Sequence, residues 1–175
     1  MDTNVFISAL KSDDPYHAEA GRVASRLRKG EIQAETSTLT LLEVASVASR
    51  LYHRAEGSKD DHKRKTFVVK TLKTLAGLGI RFVHMSGDTP FAVGNIKTDM
   101  PNVFNESILL SIQTTLRTLD LMHVAAARHA KQNNRELGAF VTGDTELLRM
   151  KAQLSRITGM PFLSPREYVI DMGLK

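Results

Sequence analysis

The chain contains no cysteine, so disulfide frameworks, thiolate zinc sites and cysteine nucleophiles are excluded outright. Any metal ion has to be held by oxygen or by histidine. Proline is scarce, at 5 residues, and 42% hydrophobic with 25% charged residues rules out a collagen-like repeat, a disordered tail protein and a low-complexity linker. No apolar run approaches the roughly 18 residues of a membrane span, and the first residues lack the basic head and apolar stretch of a signal peptide. These absences point to a cytoplasmic protein. Aromatic residues are few, and Tyr16, Tyr52 and Tyr168 are scattered, so no base-stacking platform is visible. At 175 residues the chain suits a single domain spanning 1–175, since a chain near 150 residues hides roughly 70% of its unfolded surface.

Charge is unevenly placed. Residues 50–73 carry eight basic side chains (Arg50, Arg54, Lys59, Lys63, Arg64, Lys65, Lys70, Lys73) against Glu56, Asp60 and Asp61, a local excess equal to the whole net charge of +5. A solvated helix face explains such a run; so does an electrostatic footprint for a polyanion such as nucleic acid.

Periodicity reads as alternating helix and strand, with no internal repeat. Helices are expected at about 13–29, capped by Asp13 or Asp14 and ended by Gly30, then from Thr40, with Val44, Val47, Ala48 and Leu51 on one stripe. A further helix covers 60–78, burying Val68, Leu72 and Leu75 while Lys63, Lys70 and Lys73 project elsewhere. Others cover 103–115, 119–132 and 145–154. Strands are expected at 32–35, 81–85, 139–142 and 161–163, the last followed by a C-terminal turn. The segment 86–102, with Gly87, Pro90, Gly94 and Pro101, reads as a mobile loop. Strands separated by helices imply an α/β fold: three layers, a mainly parallel sheet with helices on both faces.

In such a sheet the functional crevice lies at the carboxyl ends of the strands. Asp2, Glu43, Asp120 and Asp144 all sit where they would converge there. Each has an ordinary structural explanation. Thr40 and Glu43 form a ready capping box, Asp144 suits the cap of the next helix, and Asp120 falls in a helix's first turn. Asp120 also has Leu119, Leu121, Met122 and Val124 around it, and an acid near the core needs a partner. His123 reads as a metal ligand or as a partly buried, hydrogen-bonded histidine. Two unit charges about 4 Å apart repel by roughly 4 kcal/mol at an effective dielectric near 20, so four gathered carboxylates require raised pKa values or a cation. An oxygen-rich, cysteine-free site suits Mg²⁺ or Mn²⁺, whose chemistry fits phosphodiester hydrolysis.

Asp2-Thr3-Asn4, Leu42-Glu43-Val44, the segment from Leu116 through Asp120 to Ala126, and Val141-Thr142-Gly143-Asp144 together resemble the four motifs of PIN-domain nucleases, most nearly the VapC-type toxins of toxin–antitoxin pairs. The resemblance runs from Asp2 to about Tyr168 and is strongest around Asp120. It implies a divalent-metal-dependent ribonuclease with Asp2, Glu43, Asp120 and Asp144 as catalytic metal ligands. It further implies that Asn4 and Thr142 orient those acids, that RNA is the substrate, and that a cognate antitoxin and a homodimer are the partners.

Three departures stand out. The family has an apolar strand before its first Asp, in the middle of the sheet, whereas only Met1 precedes Asp2 here; the expectation is a truncated or misassigned start, since neighbouring backbone groups would otherwise lack partners. A basic helical insertion at about 53–79 and the loop at 86–102 lengthen the middle of the chain, and Lys63, Lys70 and Lys73 are the candidate RNA contacts. Glu146, two residues after Asp144, takes the place of a further acid and reads as an outer metal ligand or an exposed first-turn Glu. A second reading is a catalytically silent PIN-like module that binds RNA or protein without cutting. Hydrolytic chemistry alone does not separate RNA from DNA, nor a nuclease from a phosphatase.

Overall fold

The computed structural model describes residues 1–56, 60–83, 87–93 and 95–174; Lys59, Met85, Ser86 and Gly94 of the expectations above lie outside them. The order is α1 (Thr3–Leu10), α2 (His17–Arg28), β1 (Glu35–Ser37), α3 (Leu39–Glu56), α4 (Asp61–Ala76), β2 (Arg81–Val83), β3 (Asp88–Val93) and β4 (Ile96–Pro101). Then come α5 (Asn102–Gln113), α6 (Thr118–Asn133), β5 (Phe140–Val141), α7 (Thr145–Arg149), α8 (Lys151–Thr158), β6 (Phe162–Leu163) and α9 (Pro165–Asp171).

The architecture is α/β, but among the described residues the strands form three separate pairs and not one sheet. β1 pairs with β2 and β5 with β6, both parallel, with Thr36 opposite Phe82 and Phe140 opposite Phe162. The reason the parallel pairs stay apart is that β1 and β5 do not reach each other. The first two residues stand between them: the Met1 nitrogen donates to Glu35 O at 2.7 Å, and the Asp2 N–H to Val141 O at 2.9 Å.

Several local expectations need correction. The segment read as a loop is a β-hairpin, β3 antiparallel to β4 with Asp88 opposite Pro101, because Thr89, Phe91, Ile96 and Thr98 are strand formers that outweigh Gly87 before it and Pro90 and Pro101 within it. The second helix starts at His17, since Asp14 closes the preceding turn by accepting from the Tyr16 N–H at 2.9 Å. The first strand lies at 35–37, not 32–35. The helix expected over 145–154 breaks at Met150 into α7 and α8. The C-terminal turn is a helix, α9, built on a Ser164–Glu167 capping box with Pro165 just inside it.

Two apolar clusters hold the elements together. One joins α5, α6, α7 and α8 to the β5–β6 pair through Leu110, Val124, Phe140, Leu147, Leu154 and Phe162. The other joins α1 to α4 through Phe6, Val23, Leu27, Val44 and Leu75. α6 is buried at every residue from Leu121 to Ala127, as expected of a helix apolar on all sides, and its alanines permit close approach. On α4 the exposed Lys63, Lys70 and Lys73 face away from the buried Leu75.

Candidate active site

Asp2, in extended conformation just before α1, is 3% exposed, and its burial is answered by specific donors. Its Oδ2 accepts from the Thr142 hydroxyl at 2.6 Å and from the Asn4 side-chain amide at 3.2 Å. Thr142, fully buried at the end of β5, also receives the Asp144 N–H on its hydroxyl oxygen at 3.0 Å. That one hydroxyl therefore ties the start of the chain to the loop after β5. Asp144 is the N-cap of α7, its Oδ1 accepting from the N–H groups of Glu146 at 2.7 Å and Leu147 at 3.1 Å. Its capping role and its link to Asp2 through Thr142 coexist.

Asp120 stands in the first turn of α6, half-buried; Leu121, Met122 and Val124 around it are buried, but Leu119 is exposed. Burial raises its carboxyl most, and the negative charges of Asp144, Asp2 and Glu146 add to the rise, taking it from 3.8 to about 6; His123 offsets part of this. Asp2 from the chain start, Asp144 from the cap of α7 and Glu146 from its first turn thus lie near enough to Asp120 to act on its carboxyl. Glu146 is half-buried, and Arg117 lies 3.9 Å from its Oε2.

Glu43 takes a different place. Thr40 lies inside α3, so the capping box expected from Thr40 and Glu43 does not form. Instead Glu43 Oε2 is 2.7 Å from His123 Nε2 and accepts from the Thr3 hydroxyl at 2.5 Å. Burial acts to raise the Glu43 carboxyl, but the hydrogen bonds from His123 and Thr3 outweigh it and leave it lowered. Burial acts to lower His123, yet the Glu43 hydrogen bond and the charges of Asp2 and Glu43 leave it raised. Both shifts favour the charged pair. His123 is 5% exposed and its Nδ1 lies 3.3 Å from the Ser37 hydroxyl, which identifies it as a hydrogen-bonded core histidine.

Behind Glu43 runs a hydroxyl chain not foreseen from sequence. The Thr3 and Thr40 hydroxyls are 3.0 Å apart, Thr40 and Thr36 are 2.7 Å apart, and Thr36 donates to Met1 O at 2.8 Å. The density of hydroxyl residues from Thr36 to Thr40 was the available signal. On α4, Lys63 lies 3.6 Å from Asp60, while Lys70 and Lys73 share a shallow surface hollow with Lys65 and His62. His62 was not singled out from sequence.

Among the described residues, no three His, Asp or Glu side chains stand close enough to hold one metal ion as they lie. The donor chemistry nonetheless suits a hard cation. The set is all oxygen; burial lifts the Asp120 carboxyl most, and the charges of Asp144, Asp2 and Glu146 that add to the rise are what a bound cation would offset. No helix among the described residues is long and apolar enough to cross a membrane.

Comparison with known proteins adds one finding. No curated protein and no solved structure matched the chain significantly. The sequence profile of the PIN domain, a generally metal-dependent nuclease fold, matches residues 1–153. That span takes in Asp2, Glu43, Asp120 and Asp144 together, and the protein accordingly belongs to the PIN domain family.

Proposed function

We propose that the protein is a divalent-metal-dependent endoribonuclease acting in the cytoplasm, the toxin of a VapC-like toxin–antitoxin pair. Asp2, Glu43, Asp120 and Asp144 form its acidic site. The observation that best supports this is the placing of half-buried Asp120 near Asp2, Asp144 and Glu146, where burial first and then their charges lift its carboxyl to about 6. Such a cluster is costly unless it serves to take up positive charge.

Mg²⁺ or Mn²⁺ is the ion this set would hold, supplying a bound water of lowered pKa and offsetting charge on the phosphoryl oxygens. The chain's own residues do the positioning. Thr142 and Asn4 fix the direction of Asp2, Thr3 and His123 fix Glu43, and Glu146 stands as an outer acid. Lys63, Lys70 and Lys73 on α4, the helix packed along α3, would hold the RNA backbone. A cognate antitoxin and a homodimer belong to the same reading.

Incubating purified protein with RNA, with and without Mg²⁺ or Mn²⁺, tests the proposal, with Asp120→Asn as the control. Metal-dependent cleavage lost in Asp120→Asn supports it; equal cleavage by both proteins rejects it. Growth arrest on expression, relieved by a small neighbouring gene, is the test of the toxin role. A stand-alone RNA-processing nuclease is the outcome if no such gene exists.

A second reading, a silent PIN-like module that binds RNA or protein, is favoured by the engagement of Glu43 with His123 and by the lack of a preformed three-ligand set among the described residues. RNA binding without cleavage under every metal condition selects it.

A further inference from the structure

Aromatic residues are scarce in this chain, and its 3 tyrosines look scattered along it. The fold brings one of them to a partner. Tyr52 on α3 and Phe67 on α4 meet with ring centroids 5.7 Å apart and planes tilted by 41°. Rings at that tilt do not cover each other, and Phe67 stays 40% exposed whereas Leu75 on the same helix is 5% exposed. A phenylalanine left this open keeps aromatic contact area in water. Its neighbours are charged. Lys63 and Lys70 stand at i−4 and i+3 from Phe67 on one strip of the α4 surface, both exposed, and the exposed His53 and Arg54 follow Tyr52 on α3. Lys63 lies 3.6 Å from Asp60, an exposed pair weak enough for a phosphate to displace.

We propose that Tyr52 and Phe67 form a stacking platform for one unpaired base of single-stranded RNA, with Lys63 and Lys70 on the phosphates to either side.

The surroundings select that occupant. An amphipathic partner helix seeks an aliphatic groove, but the apolar surface here is a pair of rings, and a ring face takes a planar base whatever its identity. A lipid surface needs a continuous apolar helix face, whereas Phe67 stands between two lysines. Cations on both sides of an aromatic group match a polymer that alternates aromatic group and anion, which is single-stranded nucleic acid. A duplex keeps its bases stacked within and offers no face to the rings. The platform is separate from the acid site. Tyr52 lies nine residues beyond Glu43 on α3, about 13 Å along the axis and about half a turn round it. That the strand is RNA rests on the ribonuclease reading; the platform itself does not.

The chain has no tryptophan, so Phe67→Trp places a single indole reporter in the platform. In EDTA, which keeps metal-dependent cleavage out of the measurement, oligoadenylate RNA should quench its emission. Inorganic polyphosphate and polyglutamate, which carry charge without bases, should not. Phe67→Leu keeps apolar bulk and loses the π-face; it should weaken RNA binding by about five- to a hundredfold. Its salt slope should match the parent's, because no phosphate contact is lost. Phe67→Tyr should bind like the parent, and thermal unfolding of each variant reports the packing of α3 on α4 separately. Parental affinity in Phe67→Leu, or an indole that RNA does not quench, would overturn the platform. Equal quenching by polyphosphate would reduce the place to a charged surface, and tighter binding of polyglutamate would give it to an acidic protein. Oligodeoxyadenylate bound more tightly than the RNA would overturn the choice of RNA. Metal-dependent cleavage with unchanged affinity in Phe67→Leu would sink the platform and leave the ribonuclease reading standing; quenching without cleavage under any metal condition would do the reverse.

Discussion

Replacing Asp120 by Asn isolates the electrostatic argument. In the folded protein the Asp120 carboxyl is raised from 3.8 to about 6, first by burial and then by Asp144, Asp2 and Glu146. The folded state therefore binds more protons than the unfolded chain between those two values, and stability falls as pH climbs through that window. Above about pH 6 the loss is complete. At about 1.36 kcal/mol per pH unit the full rise corresponds to roughly 3 kcal/mol. Asp120 is only half-buried, however, and solvent screening brings the expected figure nearer to about 1 kcal/mol. Favourable interaction of a charged Asp with the α6 N-terminus, about 0.3–1 kcal/mol, works the other way.

The informative quantity is thus the difference between variant and parent as a function of pH. Below pH 4 the two should unfold alike. Between pH 4 and 6.5 the Asn variant should gain on the parent by about 1 kcal/mol, or some 2–4 °C in Tm for a chain of this size. Adding Mg²⁺ or Mn²⁺ at pH 7 should raise the Tm of the parent and narrow the gap, because a cation relieves the repulsion that the amide removes. A difference that stays constant with pH, or one that shrinks as pH rises, would refute mutual repulsion in the cluster.

Thr142→Val should cost about 1–3 kcal/mol, since buried Asp2 loses its closest donor; Thr142→Ser should recover most of it, and urea unfolding reads both. Asp144→Asn should keep the α7 cap and nearly parental stability while losing metal uptake, whereas Asp144→Ala should also lose about 1 kcal/mol; calorimetry with Mn²⁺ beside thermal unfolding separates the two functions. Joint replacement of Lys63, Lys70 and Lys73 by Ala should weaken single-stranded RNA binding and lower its salt slope by up to about 2, at about 0.7 for each phosphate no longer neutralised, measured by fluorescence anisotropy across a salt series. An unchanged slope would place the RNA elsewhere.

Much of the helical framework was legible because its signals are local. On the α3 stripe Val44 and Ala48 are buried and Val47 and Leu51 partly so, and the alanine run of α6 is buried throughout, faces that spacing alone announces. The hairpin of β3 and β4 was not legible, because Gly87, Pro90 and Pro101 dominate a reading by turn residues, while strand pairing depends on which residues oppose which. The separation of the strands into pairs was likewise hidden: it follows from how far apart β1 and β5 stand, a tertiary distance. At the site, Asp2, Asp120 and Asp144 could be named as acids at helix starts, and that is where the structure has them. What surrounds them could not. Glu43 and His123 are 80 residues apart, and Thr142 and Asp2 are 140 apart, so neither pairing leaves a trace in local spacing.

These pairings divide the site into two parts with opposite electrostatic states. Asp120, Asp2, Asp144 and Glu146 form a group whose negative charge is not balanced within itself, which the raised Asp120 carboxyl registers. Glu43 is balanced by His123 and held by Thr3, the residue directly after Asp2. Thr3 thereby links the two parts, and a turn of Glu43 away from its place would break its bonds to Thr3 and His123. Recruiting Glu43 as a fourth ligand thus has a cost set by a buried ion pair, whereas closing Asp120 and Asp144 on a cation relieves repulsion. On the proposed reading, Asp2, Asp120 and Asp144 would hold a divalent ion, with Glu43 kept by its histidine.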